Sequence, residues 1–144
     1  MSAFADSSAL VKLYADEDGQ AAVRHLEPLV ISALARVEVP AALWRKHRIG
    51  EIAPEDASTL VTEFEADYFG TPDEDPRFAV VALTPGIMEA AARFTAVHGL
   101  RAYDAVQLAS AVAAVAADPD CTTFAAFDKS LRVATLAEGM TVSP

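Results

Sequence analysis

Short apolar runs alternate with longer amphipathic segments along this chain, a pattern that predicts an α/β fold built on a parallel sheet. The first run, Met1-Ser2-Ala3-Phe4-Ala5, reads as a strand. Ser7 or Ser8 is placed to cap a helix that continues to about Tyr14. A turn at Asp16-Glu17-Asp18-Gly19 leads into a second helix ending near Glu27, and Leu29-Val30-Ile31 after Pro28 reads as a buried strand. A longer helix is predicted over 34–47, with Pro40 inside it imposing a kink or a late start. An amphipathic helix follows over 54–68, its apolar side formed by Leu60, Val61, Phe64 and Tyr68. Beyond a charged loop at 70–76 come a strand at 78–83, a helix at 85–98 stopped by Gly99, and a helix at 102–117 stopped near Pro119. A strand at 122–127, a helix at 129–137 and a short strand at 140–142 complete the pattern. No repeat or linker interrupts it, so the 144 residues are expected to form one domain, 1–144, large enough to bury a core without disulfides or a structural metal.

Composition narrows the function classes. Hydrophobic residues at 53% exclude a disordered chain. Cys121 is the only cysteine, which excludes an intrachain disulfide and a cysteine zinc site. The start of the sequence lacks the basic and apolar regions of a signal peptide, and no run of 18 apolar residues offers a membrane span, so a cytoplasmic protein without membrane contact is expected. The net charge of −10 is concentrated: nine acids and no Lys or Arg lie between Arg48 and Arg77. The remainder holds twelve acids against all eleven basic residues. If four of those twelve bind metal, the rest of the surface is mildly basic, which is compatible with an RNA substrate but not with high affinity through phosphate contacts alone. The acidic stretch from Glu51 to Asp75 reads as a solvated face or as a docking surface for a basic segment of a partner.

Four acids stand where acids are costly. Asp6 and Asp128 each follow a strand and precede a helix, the position where ligands gather in parallel α/β folds. Either could instead simply cap its helix. Asp104 is the only charge in Ala-Tyr-Asp-Ala-Val-Gln-Leu-Ala-Ser-Ala-Val-Ala-Ala-Val-Ala-Ala, where Gln107 and Ser110 are the other clearly polar groups. A helix apolar on nearly every face is buried, and a carboxylate there is costly unless paired or bound to a metal; first-turn stabilisation by the helix dipole, or a partner such as Arg101, would also account for it. Glu38 has mostly apolar neighbours and follows a buried strand, although a solvated glutamate paired with Arg36 fits as well. As a set, oxygen-only carboxylate ligands suit Mg²⁺ or Mn²⁺ rather than zinc, and such ions support phosphodiester hydrolysis. Ser8 could add a hydroxyl near the same site or serve as a cap.

Other chemistry-bearing residues form no second site. His25, His47 and His98 are far apart and share no metal-ligand spacing. Arg45-Lys46-His47-Arg48 forms a basic helix end that complements the helix dipole or contacts phosphate. Trp44 fits core or dimer packing, or base stacking. Lys12 and Arg101, beside acids of the set, could hold a phosphate or pair with a carboxylate.

At these residues the sequence resembles PIN-domain ribonucleases, specifically VapC-type toxins of bacterial toxin–antitoxin pairs. The resemblance runs through Phe4-Ala5-Asp6-Ser7-Ser8-Ala9-Leu10-Val11-Lys12-Leu13-Tyr14, Arg36-Val37-Glu38-Val39, Leu100-Arg101-Ala102-Tyr103-Asp104-Ala105-Val106-Gln107-Leu108-Ala109 and Phe127-Asp128-Lys129-Ser130-Leu131. It implies a three-layer α/β/α sandwich around a short parallel sheet and endonucleolytic cleavage of RNA with Mg²⁺ or Mn²⁺. It further implies that Asp6 and Asp104 are core metal ligands, with Glu38 and Asp128 completing an acidic pocket. A homodimer and an inhibitory antitoxin partner are implied as well. The chain departs from the family pattern just before Asp128, where Ala125 and Ala126 replace the usual Ser or Thr. Two other functions fit the same residues: a nuclease acting on structured DNA, and a non-catalytic binding module that keeps the fold.

Overall fold

The computed structural model describes residues 2–144, so the start of the first predicted strand, Met1, lies outside the described residues. The elements run β1 (Ala3–Ala5), α1 (Ser7–Tyr14), α2 (Gln20–Arg24), β2 (Leu29–Ser32), α3 (Ala35–Arg48), α4 (Pro54–Phe69), β3 (Ala79–Val81), α5 (Pro85–His98), α6 (Ala102–Ala117), β4 (Thr123–Ala125), α7 (Lys129–Ala137) and β5 (Thr141–Ser143). All five strands are parallel, in the order β3-β2-β1-β4-β5.

Two-residue periodicity in the strands separates two cores. Phe4 points to one face of the sheet, where it meets Phe124 at 5.0 Å between ring centroids, together with residues of α5, α6 and α7. Ala3 and Ala5 point to the other face, into a cluster with Leu29, Ile31 and residues of α1, α2, α3 and α4. The register Phe4↔Val30 and Phe4↔Phe124 keeps these sets in line across the sheet. Helices therefore cover both faces, giving the expected three layers. The order also explains which helices lie where. From β1 the chain moves outward through β2 to β3 with its helices on one face, then returns to the other side of β1 with its helices on the opposite face. Right-handed crossovers require that change of face when the direction reverses. The reversal leaves a crevice at the carboxyl ends of β1 and β4.

Several boundaries differ from the sequence pattern for identifiable reasons. The helix predicted to reach Glu27 stops at Arg24, because only Val23 of that short segment is buried. α3 begins at Ala35 and runs through Pro40 to Arg48, so the proline imposes no late start. β3 and β4 span three residues each rather than six. Phe78 and Phe127 beside them pack in the cluster with α1, α2, α3 and α4. β3 is an edge strand with Ala79 and Val80 exposed, and its shortness limits the unpaired edge. The cap of α1 is Asp6, not Ser7 or Ser8.

α4 lies outside the sheet layers against α3 and α1. Phe64 is fully buried and meets the Tyr14 ring edge-on at 5.7 Å. Part of the acidic segment is neutralised by the rest of the chain. Asp67 accepts from Tyr14 Oη at 2.6 Å and from Arg77 at 3.1 Å, Glu65 pairs with Arg36, and Glu51 pairs with Lys46. Gly70 ends α4 at φ 78°, and a Cβ there would sit 2.9 Å from the Glu74 carbonyl oxygen and from Pro76 Cδ. Gly70→Ala is therefore expected to destabilise the fold by roughly 1–3 kcal/mol in urea unfolding. A loss below about 0.5 kcal/mol would mean that the 71–76 loop gives way freely.

Candidate active site

Strand ends and helix starts bring the acids into the crevice. Asp6 follows β1 directly and is only 5% exposed. Its Oδ1 accepts from the Ala9 amide at 2.9 Å and the Ser8 hydroxyl at 2.8 Å, so the cap leaves the other carboxylate oxygen unused. Burial pushes its pKa up to about 6, the two hydrogen bonds offset part of that rise, and the charges of Asp104 and Glu38 add to it. Those two acids are thus electrostatic neighbours of Asp6.

Asp104 lies in the first turn of α6 with its side chain 21% exposed, not fully buried as the apolar helix suggests. Only the stretch from Ala105 to Ala111, with Ala114, is buried, and the first turn opens to solvent. Asp104 pairs with Arg101 at 3.2 Å, but Arg101 is 82% exposed, so this surface contact is weak. Glu38 and Asp104 line one cavity of about 290 Å³ together with Arg101, Ala102 and Tyr103.

Glu38 makes no pair with Arg36, which instead meets Glu65. Its Oε1 accepts from Ser7 Oγ at 2.8 Å and from Gln107 Nε2 at 2.8 Å. Asp128 caps α7 through the Leu131 amide at 3.0 Å. It lines a second cavity with Asp104, and its other oxygen is 3.9 Å from Arg101. Asp128 is not among the charges that raise the pKa of Asp6. The crevice therefore gathers Asp6, Glu38 and Asp104 as a core, with Asp128 flanking Asp104. Among the described residues, no three acidic, histidine or cysteine side chains already close around a single point.

Lys12 takes neither Asp6 nor Glu38 as partner. It bonds Glu17 at 3.1 Å and lies 4.3 Å from the Phe127 ring centre. Lys46 also pairs with Glu17, so the basic helix end is partly tied down within the chain. Cys121 is buried, and that burial raises its thiol pKa, which leaves it inert. The sequence assigned no site role to Ser7 or Gln107. Gln107 was visible as an amide in an otherwise apolar helix, whereas nothing in the sequence distinguished Ser7 from a cap.

The sequence matches the PIN domain family over residues 3–135. The chain belongs to the PIN domain family. PIN domains are generally nucleases. No protein of curated function matches this one. Among solved structures, PAE2754 from Pyrobaculum aerophilum is similar at 25% identity and a TM-score of 0.64, covering 99% of this PIN domain and 83% of that chain. A toxin–antitoxin complex from Klebsiella pneumoniae shares the fold at 17% identity and a TM-score of 0.55, covering 88% of this chain and 87% of that one. Among the described residues of this PIN domain, no helix is long and apolar enough to cross a membrane.

Proposed function

We propose that this PIN domain is a metal-dependent endoribonuclease and the toxin of a toxin–antitoxin pair. The observation that carries the nuclease reading is the buried Asp6 at the sheet's reversal point, with Glu38 and Asp104 as charged neighbours. Carboxylates clustered in this way repel one another, and burial adds to the cost of their charges. A divalent cation relieves both. The donor set fits Mg²⁺ or Mn²⁺, since the acids offer only oxygen and Asp6 retains an oxygen outside its cap.

Asp6 and Asp104 would hold the ion, with Glu38 and Asp128 completing the acidic pocket. A divalent cation bound there supplies Lewis acidity to activate water and to stabilise the leaving oxygen. The chain's own side chains do the rest. Ser8 and the Ala9 amide fix the Asp6 carboxylate, Ser7 and Gln107 fix Glu38, and exposed Arg101 at the mouth is free to exchange a carboxylate for a substrate phosphate. The toxin role rests on the shared fold with the Klebsiella pneumoniae complex and on the sequence resemblance, and it brings an antitoxin partner, a homodimer and a cytoplasmic setting as part of the same reading.

Purified protein incubated with single-stranded RNA is expected to cleave it when Mn²⁺ is present and to stop when EDTA is added. A single-stranded DNA of the same sequence should be spared. No cleavage of either substrate would favour a non-catalytic binding module. Cleavage of DNA with RNA spared would overturn the substrate assignment.

A further inference from the structure

Glu38 sits on α3, apart in sequence from both aspartates of the core, yet the elements carrying those aspartates each reach it. Ser7 immediately follows Asp6, and Gln107 lies one helical turn after Asp104 on α6. Both send a donor to the same carboxylate oxygen, Glu38 Oε1, at 2.8 Å each. Gln107 Nε2 also donates to Ser7 Oγ at 2.9 Å. The three side chains thus form a closed triangle within the core.

The triangle fixes its own proton arrangement. Ser7 spends its single hydroxyl proton on Glu38, so it can only accept from Gln107. The amide must therefore turn its NH₂ group, not its oxygen, toward Ser7 and Glu38. Gln107 is 2% exposed, and its Oε1 is the one buried side-chain polar atom without a partner among the described residues. An unpartnered carbonyl oxygen in a core is a cost that leucine at this position would avoid. The amide is thus oriented for its donors at the expense of its acceptor.

We infer that Gln107, together with Ser7, is a positioning residue for metal binding: it locks Glu38 Oε1 so that Oε2 stays presented to the cation held by Asp6 and Asp104. This inference rests on the metallonuclease reading above. Partners that orient a ligating carboxylate typically change metal affinity or activity by about 10–100-fold when removed.

The test is a double-mutant cycle on the full chain, with Mn²⁺ affinity measured by calorimetry and stability by urea unfolding of the metal-free proteins. Gln107→Leu is expected to weaken Mn²⁺ binding by about 10–100-fold, and Ser7→Ala to weaken it in the same direction. In a Glu38→Ala background, neither change should alter Mn²⁺ affinity by more than about twofold, because the group they act through is gone. Saturating Mn²⁺ should restore much of the Gln107→Leu cleavage rate with the KM for RNA unchanged. Equal weakening in both backgrounds, or none in either, would overturn the positioning role. Additive unfolding effects of Gln107→Leu and Glu38→Ala would overturn it too, independently of any metal measurement. Wild-type protein that binds no Mn²⁺ would instead overturn the metallonuclease reading and with it the assignment of Gln107 to metal binding. If Gln107→Leu does not fold, the Ser7→Ala arm decides by the same criteria.

Discussion

Asp104→Asn is expected to lower Mn²⁺-dependent RNA cleavage by about three orders of magnitude, equivalent to roughly 4 kcal/mol of transition-state stabilisation. The substitution keeps the size of the side chain but removes the charge that a divalent cation requires. Little of the fold depends on it. The side chain is 21% exposed, and its one ion pair is to the exposed Arg101. Loss of a first-turn acid on α6 should cost about 0.3–1 kcal/mol, with the helix dipole as the cause. The expected signature is an inactive protein whose unfolding midpoint is nearly that of the wild type. Cleavage within tenfold of wild type would remove Asp104 from the site.

The second large effect carries opposite signs for activity and stability. The pKa of Asp6 is raised from 3.8 to about 6 in the folded chain. Between those values the folded state holds a proton that the unfolded state has lost, so this group's contribution falls as pH rises from about 4 through 6. By neutral pH the charged form costs up to roughly 3 kcal/mol relative to the protonated one. Asparagine accepts the same helix-capping hydrogen bond without the charge. Metal-free Asp6→Asn is therefore expected to be more stable than wild type by about 1–3 kcal/mol at pH 7.5, with the gain vanishing near pH 4. The same variant should lose cleavage almost completely. Added Mn²⁺ should narrow or reverse the stability difference, since only the wild type gains from ligand binding. Urea unfolding at both pH values, with and without Mn²⁺, checks each part. A variant less stable than wild type at pH 7.5 without metal would contradict the buried-charge account.

Much of the architecture was readable because burial imposes periodicity. Phe4, Val30 and Phe124 alternate with residues of the opposite core, and each helix over 85–98, 102–117 and 129–137 appears with the expected limits. Local chemistry was less legible. Asp6 looked like one of several residues able to begin α1, and only the hydrogen bond from Ala9 shows that it is the cap. The strand ends were overextended, because apolar residues such as Phe78 and Phe127 pack on helices and Lys12 as readily as they pair in a sheet. In the candidate site, the four acids were visible as misplaced charges, but their unequal grouping was not. The proximity of Asp6 to Glu38 and Asp104, and the looser link to Asp128 through Arg101, depend on crossovers that no short-range pattern encodes. The Ser7–Gln107–Glu38 triangle likewise joins residues up to a hundred positions apart.

That separation matters while the protein is being made. β1 sits between β2 and β4, and β4 leaves the ribosome only after β2, β3 and the six helices between β1 and β4. Glu38 lacks the amide of Gln107 until α6 has followed, and Phe4 lacks the ring of Phe124 until β4 has. On the nuclease reading, the cutting centre is therefore assembled late in synthesis, once α6 and β4 have followed β1 and α3 out of the ribosome.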